Sequence, residues 1–167
     1  MTLLARIAAL TAVAVVVVAY ATPAHAAVSI SVPTSVNLGS APSGSSTKTG
    51  QLGLITVNGT GLVAPSFIST VSTSIFTTGG GGTNERIPTS AISYWSGPAV
   101  ASVGTLSVTP GQANAAAAQV LSSTRTAFSA TGLLLTIQVS WNPTLIITIP
   151  SSAVAGTYSG VITHSVA

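Results

Sequence analysis

Residues 133–150, "LLLTIQVSWNPTLIITIP", decide how this chain is read. Leu133 to Trp141 is the most apolar strand-like stretch after the N-terminal segment, Asn142-Pro143 reads as a corner, and Leu145 to Ile149 as the returning strand. β-branched residues recur in both arms, as suits side chains that pack on a pleated surface.

Similar stretches extend in both directions. Val28, Ile30 and Val32 alternate with serines until Pro33. Leu52, Leu54 and Thr56-Val57 form another strand, which the turn signal Asn58-Gly59-Thr60-Gly61 is expected to close. Val63 to Thr73 is a third, with Phe67 inside it. Val103 to Thr109 reads as a short strand ended by Pro110-Gly111, Ala118 to Ala130 as a long or bulged one, and Tyr158 to Val166 as the last. Ala113 to Ala118 offers one helical turn. No long stretch spaces its apolar residues at the helical period. Seven to nine short strands with Gly, Pro and Asn between them predict an all-β fold, a single antiparallel β-sandwich of immunoglobulin-like or jelly-roll-like type, with a closed barrel as the alternative.

The N-terminus is read separately. Arg6, the apolar run Ile7 to Ala21, Pro23 and the small-x-small triplet Ala24-His25-Ala26 have the layout of a cleaved secretory signal. The run is shorter than the roughly 20 residues a bilayer-spanning helix needs. Residues 1–26 are therefore expected to be removed, leaving 27–167 as one secreted domain. That domain contains no cysteine, so packing and hydrogen bonding alone must hold it.

Charge is nearly absent. Beyond residue 26 the charged or readily protonated side chains are Lys48, Glu85, Arg86, Arg125 and His164, and the chain has no aspartate. Such scattered cations cannot neutralise a phosphate track, which argues against nucleic acid. Paired-carboxylate hydrolysis needs two acids, a Ser-His-Asp arrangement needs an acid to orient its histidine, and a metal site needs three or four ligands. This inventory predicts no enzyme, no metal and no cofactor. "GGGGTNERIP" reads as an unrestrained glycine loop followed by a solvated Glu85-Arg86 ion pair, and Lys48 and Arg125 as solubilising surface cations. Ser and Thr make up roughly a third of residues 27–167, so the surface is expected to be coated with hydroxyls.

The few aromatic residues are the binding candidates. Trp141 ends the most apolar strand and is expected at the core or its edge. Tyr94 and Trp95 are adjacent, so one should face outward, where it could stack on a sugar ring. Phe67 lies within the third strand. His164 shares a face with Tyr158, Gly160, Ile162 and Val166, with no acid to orient it, and reads as a packing residue at the sandwich edge.

Two segments, "RIPTSAISYWSGP" (86–98) and "PTLIITIPSSAVAGTYSGVITHSVA" (143–167), resemble the WxL domain of Gram-positive surface proteins, in particular its shorter actinobacterial relatives. His164 stands where that family has its second tryptophan, and Phe67, in "APSFISTVSTSIF" (64–76), where it has its first. The resemblance implies a secreted, non-enzymatic β-sandwich that associates non-covalently with the cell wall through peptidoglycan. The alternative expectation is a surface protein assembling with itself or other surface proteins through uncharged strand edges. A sugar-binding module using Trp95 is the third.

Overall fold

A computed structural model of the chain describes residues 27–42, 47–60, 66–132 and 136–167. The segment read as a secretory signal, parts of the Val63 to Thr73 and Leu133 to Trp141 stretches, and part of the loop around Ser45 lie outside the described residues. What is described is all-β, with antiparallel pairing throughout and three short 3-10 turns at Thr83–Glu85, Thr89–Ala91 and Ala115–Ala117. The strands are β1 (Ala27–Ser31), β2 (Thr47–Gln51), β3 (Ile55–Thr60), β4 (Ser66–Thr73), β5 (Phe76–Thr77), β6 (Arg86–Ile87), β7 (Ile92–Trp95), β8 (Ala99–Val103), β9 (Thr105–Pro110), β10 (Gln119–Val120), β11 (Arg125–Gly132), β12 (Thr136–Trp141), β13 (Thr144–Thr148) and β14 (Ile162–Val166).

Three four-stranded sheets result, ordered β1-β3-β12-β8, β10-β7-β13-β2 and β14-β4-β11-β9, with β5 and β6 forming a small ribbon. The first two sheets continue one another. β2 leads into β3, β13 follows β12 and β7 leads into β8, and each passage bends at a break: Leu52-Gly53-Leu54, Asn142-Pro143 and Ser96-Gly97-Pro98. Gly53 (φ 88°) and Gly97 (φ 70°) occupy the left-handed region that a side chain would disfavour, and Asn142-Pro143 makes the third bend. Leu52 N donates to Pro143 O across the bends at 2.9 Å. The Ser96 hydroxyl donates to Gln112 O at 3.0 Å, and Gln112 Nε2 donates to Thr126 O at 3.0 Å, tying the bend after β7 to β11.

The bent double sheet packs on the third sheet as a sandwich rather than closing into a barrel. Alternation supplies the two facing surfaces. Ile55, Val57, Ile137, Val139, Trp141, Ile92, Tyr94, Leu145 and Ile147 come from one side; Phe67, Val71, Phe128 and Ala130 come from the other. All are at most 5% exposed. Phe128 and Trp141 stack across the interior with ring centres 4.9 Å apart.

Several sequence expectations are corrected. Asn58-Gly59 is not a turn but lies in the middle of β3, between β1 and β12, where Asn58 Oδ1 accepts from Gln138 Nε2 at 2.9 Å. β13 does not return along β12; it crosses into the adjoining sheet and pairs with β2 and β7. The Ala118 to Ala130 stretch divides into β10 and β11 at a turn. The glycine run is not unrestrained: Gly82 N donates to a Glu85 carboxylate oxygen at 2.7 Å, and Arg86 Nε donates to Gly81 O. Glu85 and Arg86 thus bind the glycine backbone, and the segment is a fastened turn.

Candidate functional site

The aromatic candidates converge inside the sandwich rather than on its surface. Phe67, Tyr94 and Trp141 are at most 2% exposed and offer a ligand no accessible face. Trp141 Nε1 donates to the Tyr94 hydroxyl at 3.3 Å, and that hydroxyl lies 3.3 Å from His164 Nε2. The Tyr94 oxygen accepts from Trp141 and keeps its own proton to give, so it pairs with His164 Nε2 as donor or acceptor according to the histidine tautomer. Burial pushes the Tyr94 hydroxyl well above its ordinary pKa. Burial also lowers His164 to about 4, so the ring is neutral at physiological pH. The chain Trp141–Tyr94–His164 links β12, β7 and β14 and satisfies three polar groups that would be costly to bury alone.

Trp95 points to the other face of β7, is half-buried beside Gly97, and encloses its indole N–H without a hydrogen-bond partner. Two of the sequence candidates therefore join His164 in one internal network, while Phe67 packs and Trp95 lies apart.

Two surfaces that the aromatics did not indicate remain. The first is the outer face of the third sheet. β14 presents Thr163 and Ser165, which pair with Ser72 and Thr70 of β4. β11 presents Thr126 opposite Thr70, Ser129 opposite Ile68 and Thr131 opposite Ser66. β9 adds Thr109 opposite Ser129 and Ser107 opposite Thr131. Every residue of this array except Ile68 is a serine or threonine. Sheet geometry sets the hydroxyls about 4.8 Å apart between strands and about 6.6 Å apart along them. A shallow depression of about 270 Å³ is lined by residues including Ser66, Ile68, Thr109 and Ser129, and Ile68 is 54% exposed.

The second surface is an open cleft of about 920 Å³, on the opposite side of β14. Its floor is hydrocarbon: Leu52, Ile55, Phe76, Ile87, Leu145 and Ile147. Residues 32–42 and 153–161 form its rims, and Val32, Val36, Val154 and Val161 on those rims are 41–64% exposed. Ile162 and His164 line it from β14. Among the described residues lining it, the one cation is Lys48. Lys48, read from the sequence as a solubilising surface residue, pairs with Ile147 on β2, is partly buried, and holds its ammonium beside Gly39 on the rim.

The fold and these surfaces define a class: an all-β, sandwich-like protein with a charge-free hydroxyl face and a separate apolar cleft. No model of a known protein family matches the chain, and no curated protein matches it either.

Proposed function

We propose that this protein is a secreted, non-enzymatic cell-surface module of the WxL-like kind. It associates non-covalently with the Gram-positive cell wall, with peptidoglycan as the polymer and the outer face of the third sheet as the contact. The observation that carries this reading is the array of serine and threonine hydroxyls across β14, β4, β11 and β9, interrupted only by Ile68. Hydroxyls on a regular grid both donate and accept, so they match the hydroxyls and amides of a wall polymer without needing charge. Ile68 in its shallow depression adds an apolar contact of the kind a sugar-ring face uses. The signal-like layout of residues 1–26 supports export, and the resemblance over residues 86–98 and 143–167 supports the wall as destination and an immunoglobulin-like or jelly-roll-like sandwich.

Co-sedimentation with bare cell walls tests the proposal. The purified protein is expected in the pellet, and Thr70→Glu together with Ser129→Arg is expected to return it to the supernatant. A protein that stays in the supernatant at every wall concentration would overturn the reading.

A second reading, assembly through strand edges, is favoured by one feature. β8 is the edge of its sheet, carries no charge, and exposes Val100 by 64% and Val103 by 58%. Edges of this composition invite pairing with another strand. Light scattering distinguishes the two: concentration-dependent dimers abolished by Val100→Lys would support assembly, and a strict monomer would remove it.

A further inference from the structure

Lys48 brings a positive charge to the edge of the apolar cleft. Its side chain lies on the inner face of β2, beside the buried Ile147, and lines the apolar cleft. The chain has a single acidic side chain, Glu85, whose carboxylate already accepts from Gly82 N at 2.7 Å. The Lys48 ammonium lies beside Gly39 on the rim of the cleft, and the sequence has no second acidic side chain to pair with it. An anionic head group at that rim would gain a charge-assisted contact.

The rest of the cleft specifies the body of that ligand. Its floor consists of aliphatic and phenyl side chains, with no side-chain donor or acceptor among them. A peptide or sugar laid on that floor would find side-chain partners only at the walls and rims, from residues such as Asn37, Ser40, Tyr158 and His164, whereas a hydrocarbon chain needs none. The exposed valines at the rims extend the apolar surface outward, as at sites awaiting an apolar partner. A volume of about 920 Å³ lies within the roughly 300–1,000 Å³ range of small-molecule sites.

We infer that the cleft binds a long-chain carboxylate, with its hydrocarbon tail along the Leu52–Phe76–Leu145 floor and its carboxylate on the Lys48 ammonium. This site is independent of wall binding, because the hydroxyl array lies on the opposite face of β14.

Displacement of a fluorescent fatty acid from the purified protein is the test, with octadecanoate, methyl octadecanoate and acetate as competitors. Octadecanoate is expected to displace the probe at one site per chain. The methyl ester, which keeps the tail and loses the charge, is expected to compete about tenfold less well, and acetate not at all. Lys48→Met should reduce octadecanoate to the level of the ester, while Lys48→Arg should preserve it. Failure of octadecanoate to displace the probe, or equal competition by acid and ester, would overturn the inference. So would undiminished binding in a Lys48→Met protein that begins to self-associate, since the lysine would then be a guard on the β2 edge. The acid-against-ester comparison uses the unaltered protein, so it decides the matter even if a variant fails to fold. Loss of wall binding leaves this result unaffected, and the converse also holds.

Discussion

The two sides of β14 make the sharpest contrast in this molecule. Thr163 and Ser165 face outward and join a hydroxyl grid; Ile162, His164 and Val166 face inward, the first two lining an apolar cleft and all three meeting the core. Five consecutive residues thus serve two surfaces of opposite chemistry, because successive side chains of a strand point to opposite faces. The contrast teaches how a chain almost without charge divides its polar and apolar work: hydroxyls outside, and inside only those polar groups that find one another. The exceptions among the described residues are Ser69 Oγ, Trp95 Nε1, Gln112 Oε1 and Asn142 Oδ1, each buried without a partner.

The largest effect is expected on the inner side. Trp141→Ala removes the ring that stacks on Phe128 and the donor to Tyr94, and should cost about 3–5 kcal/mol of unfolding free energy. Chemical denaturation reads it directly; a loss below about 1 kcal/mol would break the picture of a packed aromatic centre.

Acid should act next, and through one residue. His164 is lowered from its ordinary 6.5 to about 4 in the folded protein, so below pH 6.5 the unfolded chain takes up a proton that the folded chain refuses. Stability is complete above pH 6.5 and falls as pH drops towards 4, by an eventual total of about 3 kcal/mol. With one acidic side chain in the whole sequence, carboxylate titration adds little to this slope. Urea midpoints measured from pH 7 to pH 4 should therefore decline, and His164→Phe should flatten the decline. A flat profile in the unaltered protein would refute the assignment. Burial of the ring beside Tyr94 moves the folded-state titration below the ordinary histidine range.

Gly160→Ala tests how tightly the cleft wall is packed. A Cβ at that position would fall on the Phe76 ring, so overpacking should cost about 1–3 kcal/mol. A neutral result in thermal melts would show that Phe76 has room to withdraw. The smallest effect belongs to the outer side: Thr70→Ala should change stability by less than about 0.5 kcal/mol, while weakening retention on cell walls. A large loss of stability would mean that the hydroxyl grid supports the fold rather than facing a partner.

Much of this architecture was legible. The period-two runs predicted an all-β fold, and the face shared by Ile162, His164 and Val166 was read correctly because alternation is a local property. Trp141 was expected at the core, where it lies. Other features were not legible, for specific reasons. Asn58-Gly59 carries a strong turn signal, yet in β3 it is held between β1 and β12, so pairing on both sides overrode a local preference. Asn142-Pro143 announced a corner but not its destination. Lys48 looked like any surface cation until its pairing with Ile147 placed it on an inner face. The hydroxyl array was visible only as a composition rich in serine and threonine.

By itself, the sequence determined the kind of secondary structure, the alternation of faces within each strand and the scarcity of charge, since all three are set by residue identity and short-range spacing. The tertiary structure alone decided which face became interior. It bent three strands at a common line, joined Tyr94 to Trp141 and His164 across 47 and 70 positions, and placed Lys48 at the edge of the apolar cleft. The physical reason is that alternation defines two faces without ranking them. The ranking follows from pairings between distant strands, which depend on the packing of the whole sandwich.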